Sequence, residues 1–112
     1  MAQQSHQYSG TTSVIAKNLN INSGSAETTM IDQVLCLGAR NLAVTIVNHT
    51  GSVSAVALYG SPDGQNYIAV SGFSSFAVSA GNMGHGEVVA NWPYIRVTTT
   101  GIALIDVYLT AV

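Results

Sequence analysis

The nine residues from Tyr59 to Tyr67, YGSPDGQNY, crowd an acid, a serine hydroxyl, two phenols and two glycines into one stretch. Side chains of these types, so placed, can bind or activate a ligand. A second group lies in GNMGHGEV, Gly81 to Val88, where His85 and Glu87 stand two apart and would share one strand face. Imidazole and carboxylate at that spacing can begin a metal site, with His6, His49 or Asp32 as the third ligand. A third group is Trp92-Pro93-Tyr94, whose rings, together with Tyr59 and Tyr67, could be offered to a sugar.

Each group also has a plain structural account. Pro62 presets the second position of a type I turn, Asp63 tolerates the bridge region, and Gly64 takes a positive φ. The stretch then joins VSAVALYG to QNYIAV as a hairpin, with Tyr59 and Tyr67 as cross-strand partners. GNMGHGEV lacks the order of a dinucleotide fingerprint and reads as a loop carrying a solvated His and Glu. Trp92 reads as a plug at the end of the core, where the chain enters the Tyr94 strand. Asn48-His49-Thr50 matches a glycosylation acceptor, but with Gly51 it reads as a turn. No Gly-x-Ser-x-Gly elbow occurs, and three scattered His residues do not outline a triad. Of the five acids, Glu27 and Asp32 share the first expected strand while Asp63, Glu87 and Asp106 fall elsewhere, so a carboxylate pair for glycoside chemistry is possible but unsupported. The sequence therefore predicts no catalytic residue, no metal ligand and no cofactor.

The elements that would position these groups are strands. Glu27–Leu37, Arg40–Asn48, Val53–Tyr59, Asn66–Val70, Phe73–Val78, Glu87–Ala90, Tyr94–Thr100 and Ile102–Thr110 are rich in Val, Ile, Thr and Tyr, and Gly, Asn, Pro or Ser separates most of them. SAETTMIDQVLCLG has some helical spacing, yet its Thr28, Thr29, Ile31 and Val34 favour a strand. Period two places Leu42, Val44 and Ile46 on one face, with Ile95 and Val97, and Ala103, Ile105, Val107 and Leu109, inward in the same way. The opposite face of the last strand still carries Leu104 and Tyr108, which marks it as a contact surface. An all-β fold is expected, a compact antiparallel jelly-roll or β-sandwich of about eight strands spanning residues 13–112. Residues 1–12 are polar and read as a flexible arm, with Gln3, Gln4 and Tyr8 as candidate contact residues.

Composition narrows the function. Ser, Thr, Asn and Gln number 12, 10, 8 and 5, whereas charged residues are 7% of 112 and the net charge is −2. An ordinary soluble domain carries about 25% charge. No basic face exists for nucleic acid, and no apolar run reaches the ~18 residues of a membrane helix. The N-terminus shows no secretory signal pattern. With so little charge to keep copies apart, the chain is either a monomer coated in hydroxyls and amides or, the reading favoured, one with much of its outside covered in an assembly. The lone Cys36, between Leu35 and Leu37, reads as a buried structural thiol.

YGSPDGQNYIAV followed by NWPYIRVTTTGIALIDVYLTA resembles two families over Val53 to Val112. One is the second half of discoidin-type galactose-binding jelly rolls, which bind sugars or lipid head groups through end loops. The other, which it resembles more, is the small β-sandwich proteins of tailed bacteriophages. That resemblance implies a non-enzymatic virion protein made in the host cytoplasm. It further implies a capsid decoration or cement protein, commonly trimeric, whose partners are copies of itself and the major capsid protein or another virion protein. A tail, neck or head-completion component, and a carbohydrate-binding module using Tyr59, Tyr67, Trp92 and Tyr94, are the alternatives.

Overall fold

The computed structural model describes residues 12–36 and 38–112. Gln3, Gln4, Tyr8 and the expected arm, except Thr12, lie outside the described residues. Six antiparallel strands form one sheet: β1 Thr12–Leu35, β2 Asn41–Ser61, β3 Ile68–Ala69, β4 Phe76–Ser79, β5 Met83–Val89 and β6 Tyr94–Ala111. β6 pairs with β1 on one side and with β2 on the other. The far edge of β2 is shared in turn by β5, β4 and β3.

Three of these strands are far longer than the usual five or six residues, at 24, 21 and 18. A straight 24-residue strand would run about 80 Å, yet the longest extent of the molecule is 47 Å. The strands bend instead of ending. Gly24 pairs with Gly101, Gly101 with Val53, and Gly51 with Ala103, so three glycines lie along one line across β1, β6 and β2. Their φ values are +62°, +136° and +81°, a region that L side chains avoid. At Gly51 a β-carbon would strike the Ile102 backbone carbonyl, and at Gly101 that of Ser52. The register shifts in β2 flank the same line, and two of those in β1 fall on it.

Folding along this line brings the two halves of the sheet face to face as a sandwich. Phe76 of β4 sits opposite Val56 in one layer, while Gly84 and Gly86 of β5 sit opposite Ile46 and Val44 in the other. A β-carbon on Gly84 would nevertheless lie 2.9 Å from the Phe76 ring, so β4 and β5 are stacked across the layers. Leu42, Val44, Ile46, Ile105, Val107 and Leu109 from one layer bury against Val53, Val56, Leu58, Ile95 and Val97 from the other.

The all-β antiparallel architecture and the inward faces are as the sequence predicts. The strand count differs for a physical reason. The segments at Arg40–Asn48 and Val53–Tyr59 are two halves of β2, and those at Tyr94–Thr100 and Ile102–Thr110 are two halves of β6. Gly51 and Gly101 bend the strands without breaking the ladder. The helical alternative for SAETTMIDQVLCLG is resolved as strand, and β1 extends back to Thr12. Cys36 is fully buried, and burial pushes its thiol up to about 11, which keeps it protonated.

The bend makes a quantitative prediction. Gly24 faces open space, so Gly24→Ala loses only the positive-φ freedom, about 1 kcal/mol. Gly51→Ala adds a backbone collision and should cost about 3 kcal/mol or more. Urea unfolding of the two variants measures the difference, and equal losses would contradict a hinge at Gly51.

Candidate functional site

The YGSPDGQNY stretch is a turn whose polar atoms are turned on one another. The Ser61 hydroxyl accepts from the Gly64 amide at 2.8 Å and donates to Asp63 Oδ1 at 3.0 Å. Asp63 accepts the amides of Gln65 and Asn66, both at 2.9 Å, and the Asn66 side chain at 2.7 Å. These donors hold the Asp63 carboxyl far below the usual carboxylate range, the Asn66 amide contributing most. Gly64 has φ +79°, as the turn requires, and its carbonyl accepts from Gln33 Nε2 at 2.8 Å. The expected Tyr59–Tyr67 pair does not form. Register sets Tyr59 opposite Ala69, its hydroxyl donates to Glu27 Oε2 at 2.8 Å, and the Tyr67 ring instead lies 3.9 Å beneath the Arg96 guanidinium.

These contacts belong to a polar outer face on the layer that holds β3 and β4. Arg96 Nε donates to Asp32 Oδ1 at 2.8 Å, and Thr98 donates to Glu27 at 2.7 Å. The Thr98 and Tyr59 hydroxyls lower the Glu27 carboxyl below its ordinary value, and Glu27 in turn raises the Tyr59 phenol. Tyr94 stands beside the Gly64 turn on the same side. Trp92 does not join these rings. It packs against Gly60 and the core, as a plug.

The other outer face, on the layer of β1, β6, β2 and β5, is different. Ile15, Tyr108, Thr45 and His85 form one row across its four strands. The next row toward the bend is Asp106, Val47 and Met83, and Leu104 lies beyond it between Asn20 and Thr50. Tyr108 and Leu104 are half-buried and point away from the core. Of the seven exposed large hydrophobic side chains among the described residues, Ile15, Met83, Val89, Ile102 and Val112 lie on this face or its margin. At its far end a groove of about 380 Å³ opens between Leu42, Val88, Val89 and Val112.

Its two carboxylates are both partnered. Asp106 accepts the Asn18 amide at 2.8 Å, where β1 bulges with Asn18 at φ +54°, and lies 3.0 Å from His49 Nε2. The Asn18 amide, then His49 and Lys17, hold the Asp106 carboxyl below its ordinary value. Glu87 Oε2 accepts from His85 Nε2 at 2.7 Å, and His85 Nδ1 is 2.7 Å from the Thr45 hydroxyl. This row has the order of a hydroxyl–imidazole–carboxylate relay. However, Thr45 stands on an open sheet face between two hydrogen-bonded ladders, so no amide pair is aimed where an oxyanion would form. It acts as cross-strand pairing. The third metal ligand suggested for His85 and Glu87 is not supplied by His49, held on Asp106, nor by Asp32, held on Arg96, and His6 lies outside the described residues. Among the described residues no group of three His, Cys, Asp or Glu could hold a metal ion, and no helix is long and apolar enough to cross a membrane.

The sequence pointed to Leu104 and Tyr108 but missed the Asp106–His49 and Glu27–Tyr59–Thr98 contacts. Their only signal was a charge at an outward position, and the partners depend on register across three strands.

Because the folded-state Asp106 carboxyl titrates below its unfolded value of about 3.9, its contribution is full above that pH and fades as pH falls through the folded value. Asp106→Asn should therefore lower stability at neutral pH and flatten the acid limb below about pH 4. Urea midpoints across pH check this, and an unchanged acid limb would contradict it.

No protein family and no curated protein matches the sequence. Solved structures do match the fold. The chain is similar to the PBSX exported protein XepA, with a TM-score of 0.65 and 11% identity over 89% of this chain, which spans only 36% of that one. It is also similar to a subunit of the disulfide-linked pili that form Bacillus endospore appendages, with a TM-score of 0.53 and 16% identity over 90% of this chain and 83% of that one. At these identities the likeness is one of fold.

Proposed function

We propose that this chain is a non-enzymatic structural protein of a phage virion, a decoration or cement protein that binds and stabilises the capsid shell as an oligomer. The observation that carries this is the outer face of the β1–β6–β2–β5 layer, with exposed Ile15, Met83 and Ile102 around Tyr108 and Leu104. A free monomer gains nothing from such a face, whereas a subunit buries it against a neighbour. The fold is shared with a phage PBSX exported protein and with a pilus subunit, which supports a structural role. The polar face on the other side remains to meet the shell. Several linked copies make that attachment firm even when each contact is weak.

Particles released by the cells that encode the chain provide the test. Purified protein added to them should pellet with the particles and add density at regular positions on the shell. Protein that stays in the supernatant, and is absent from the particles as released, overturns the proposal.

A second reading, a carbohydrate-binding module, draws on Tyr59, Tyr67 and Tyr94 sharing the polar layer with Arg96 and Asp32. Binding on a glycan array that is lost in Tyr67→Ala with the fold intact would support it, and an array without signal removes it.

A further inference from the structure

We infer that the apolar outer face is the contact between two copies of this chain, packed face to face about a two-fold axis that runs along the strands between β6 and β2. The inference rests on the reading of that face as a protein contact and names its occupant.

Column by column, the face is self-complementary. Its strands lie in the order β1, β6, β2, β5. From Ala43 to Val47 the β2 column is small, with Ala43, Thr45 and Val47 outward before His49 near the bend, and the adjacent β6 column carries Tyr108 and Leu104 with the His49-bonded Asp106 between them. A two-fold axis between them lays the β6 column of each copy over the β2 column of the other, large on small. The same operation sets β1, with Ile15 and Lys17, over the partner copy's β5. Each contact then occurs twice, as an isologous interface requires.

Size and charge agree. Four strands about 4.8 Å apart, three of them roughly ten residues long on this face and β5 seven, present a face of roughly 600 Å². Two such faces reach the lower end of the roughly 1,200–2,000 Å² that specific interfaces bury. Aligned packing at about 10 Å between sheets is the ordinary way for β layers to stack. Asp106 and Glu87 already sit on His49 and His85, so covering them strands no lone carboxylate.

The β1 edge is a poorer route to association. The outer edge of β1 follows a strand with five register shifts and positive φ at Asn18 and Gln33. Bulges of this kind protect an edge from strand addition. The pairing is two-fold, in place of the trimer that the family resemblance implies.

Sedimentation equilibrium of the full chain tests the inference. The wild type should form a dimer of the 11.6 kDa chain. Tyr108→Glu and Ile15→Glu should each weaken self-association at least about thirtyfold, with unchanged far-UV circular dichroism. Ser71→Glu, in an exposed turn, should leave the dimer intact. Should the half-buried Tyr108 variant fail to fold, Ile15→Glu, at a site 58% exposed, decides alone. A wild type that is monomeric at every concentration, or an oligomer indifferent to Ile15→Glu, overturns the inference. A monomer that still decorates particles removes the dimer and leaves the virion reading standing.

Discussion

Along the line through Gly24, Gly101 and Gly51, three hydrogen-bonded strands turn one corner together, and the sandwich exists because they do. At this corner the backbones of β2 and β6 approach too closely for a β-carbon. The buried Asn48 holds the inside of the turn. Its side-chain amide donates to the Gly51 carbonyl at 3.0 Å and to the Val78 carbonyl at 2.9 Å. Its backbone amide donates to Asn82, and its carbonyl accepts from Gly81. One residue thus ties β2 to β4 and to the turn between β4 and β5. Without the corner, the inward rows of Leu42, Val44 and Ile46, and of Ile95 and Val97, would have no opposing layer among the described residues.

The same corner explains which parts of the fold were legible in the sequence. Period two in NLAVTIVN, PYIRVTTT and ALIDVYLTA identified the buried side chains because alternation is a local property of one strand. Pro62, Asp63 and Gly64 identified their turn because each answers a local backbone need. Gly51 and Gly101 misled, since a glycine between two apolar runs looks alike whether it ends a strand or bends it. Only the partner strand, turning at the same level, distinguishes the two. Tyr59 and Tyr67 failed for a related reason. Pairing them by the turn alone ignored Glu27 and Arg96, which arrive from β1 and β6 and offer the Tyr59 hydroxyl and the Tyr67 ring a charged partner.

Few charges are present, and the fold spends them unevenly. Arg96, Asp32 and Glu27 gather on one outer face, where hydroxyls and phenols complete their hydrogen bonds. On the opposite face each carboxylate is matched to an imidazole, and apart from Lys17 and amides such as Asn20 the remaining outward positions are mostly aliphatic, aromatic or hydroxyl-bearing. Exposed ion pairs contribute little to stability, typically below about 1 kcal/mol. Their arrangement matters more for what each face can meet. One face is polar and internally hydrogen-bonded, and the other exposes more apolar area. Tyr108 and Leu104 on the last strand announced that asymmetry in the sequence, while Ile15 and Met83 joined them only once register aligned four strands.

Building both layers from the same three strands also changes how the sandwich resists force. In two separate sheets, only apolar contact and connecting loops oppose separation of the layers. Here β1, β2 and β6 each cross from one layer to the other as continuous chain, with the β2–β6 ladder paired through the corner from Thr50 to Ser54. Opening the sandwich therefore requires distorting backbone already constrained by positive φ at Gly51 and Gly101, and breaking the Asn48 hydrogen bonds, as well as exposing the core. A subunit held on one outer face by its neighbour and on the other by a shell would be pulled across this direction. In the proposed decoration role, the continuous corner would carry that load through covalent bonds.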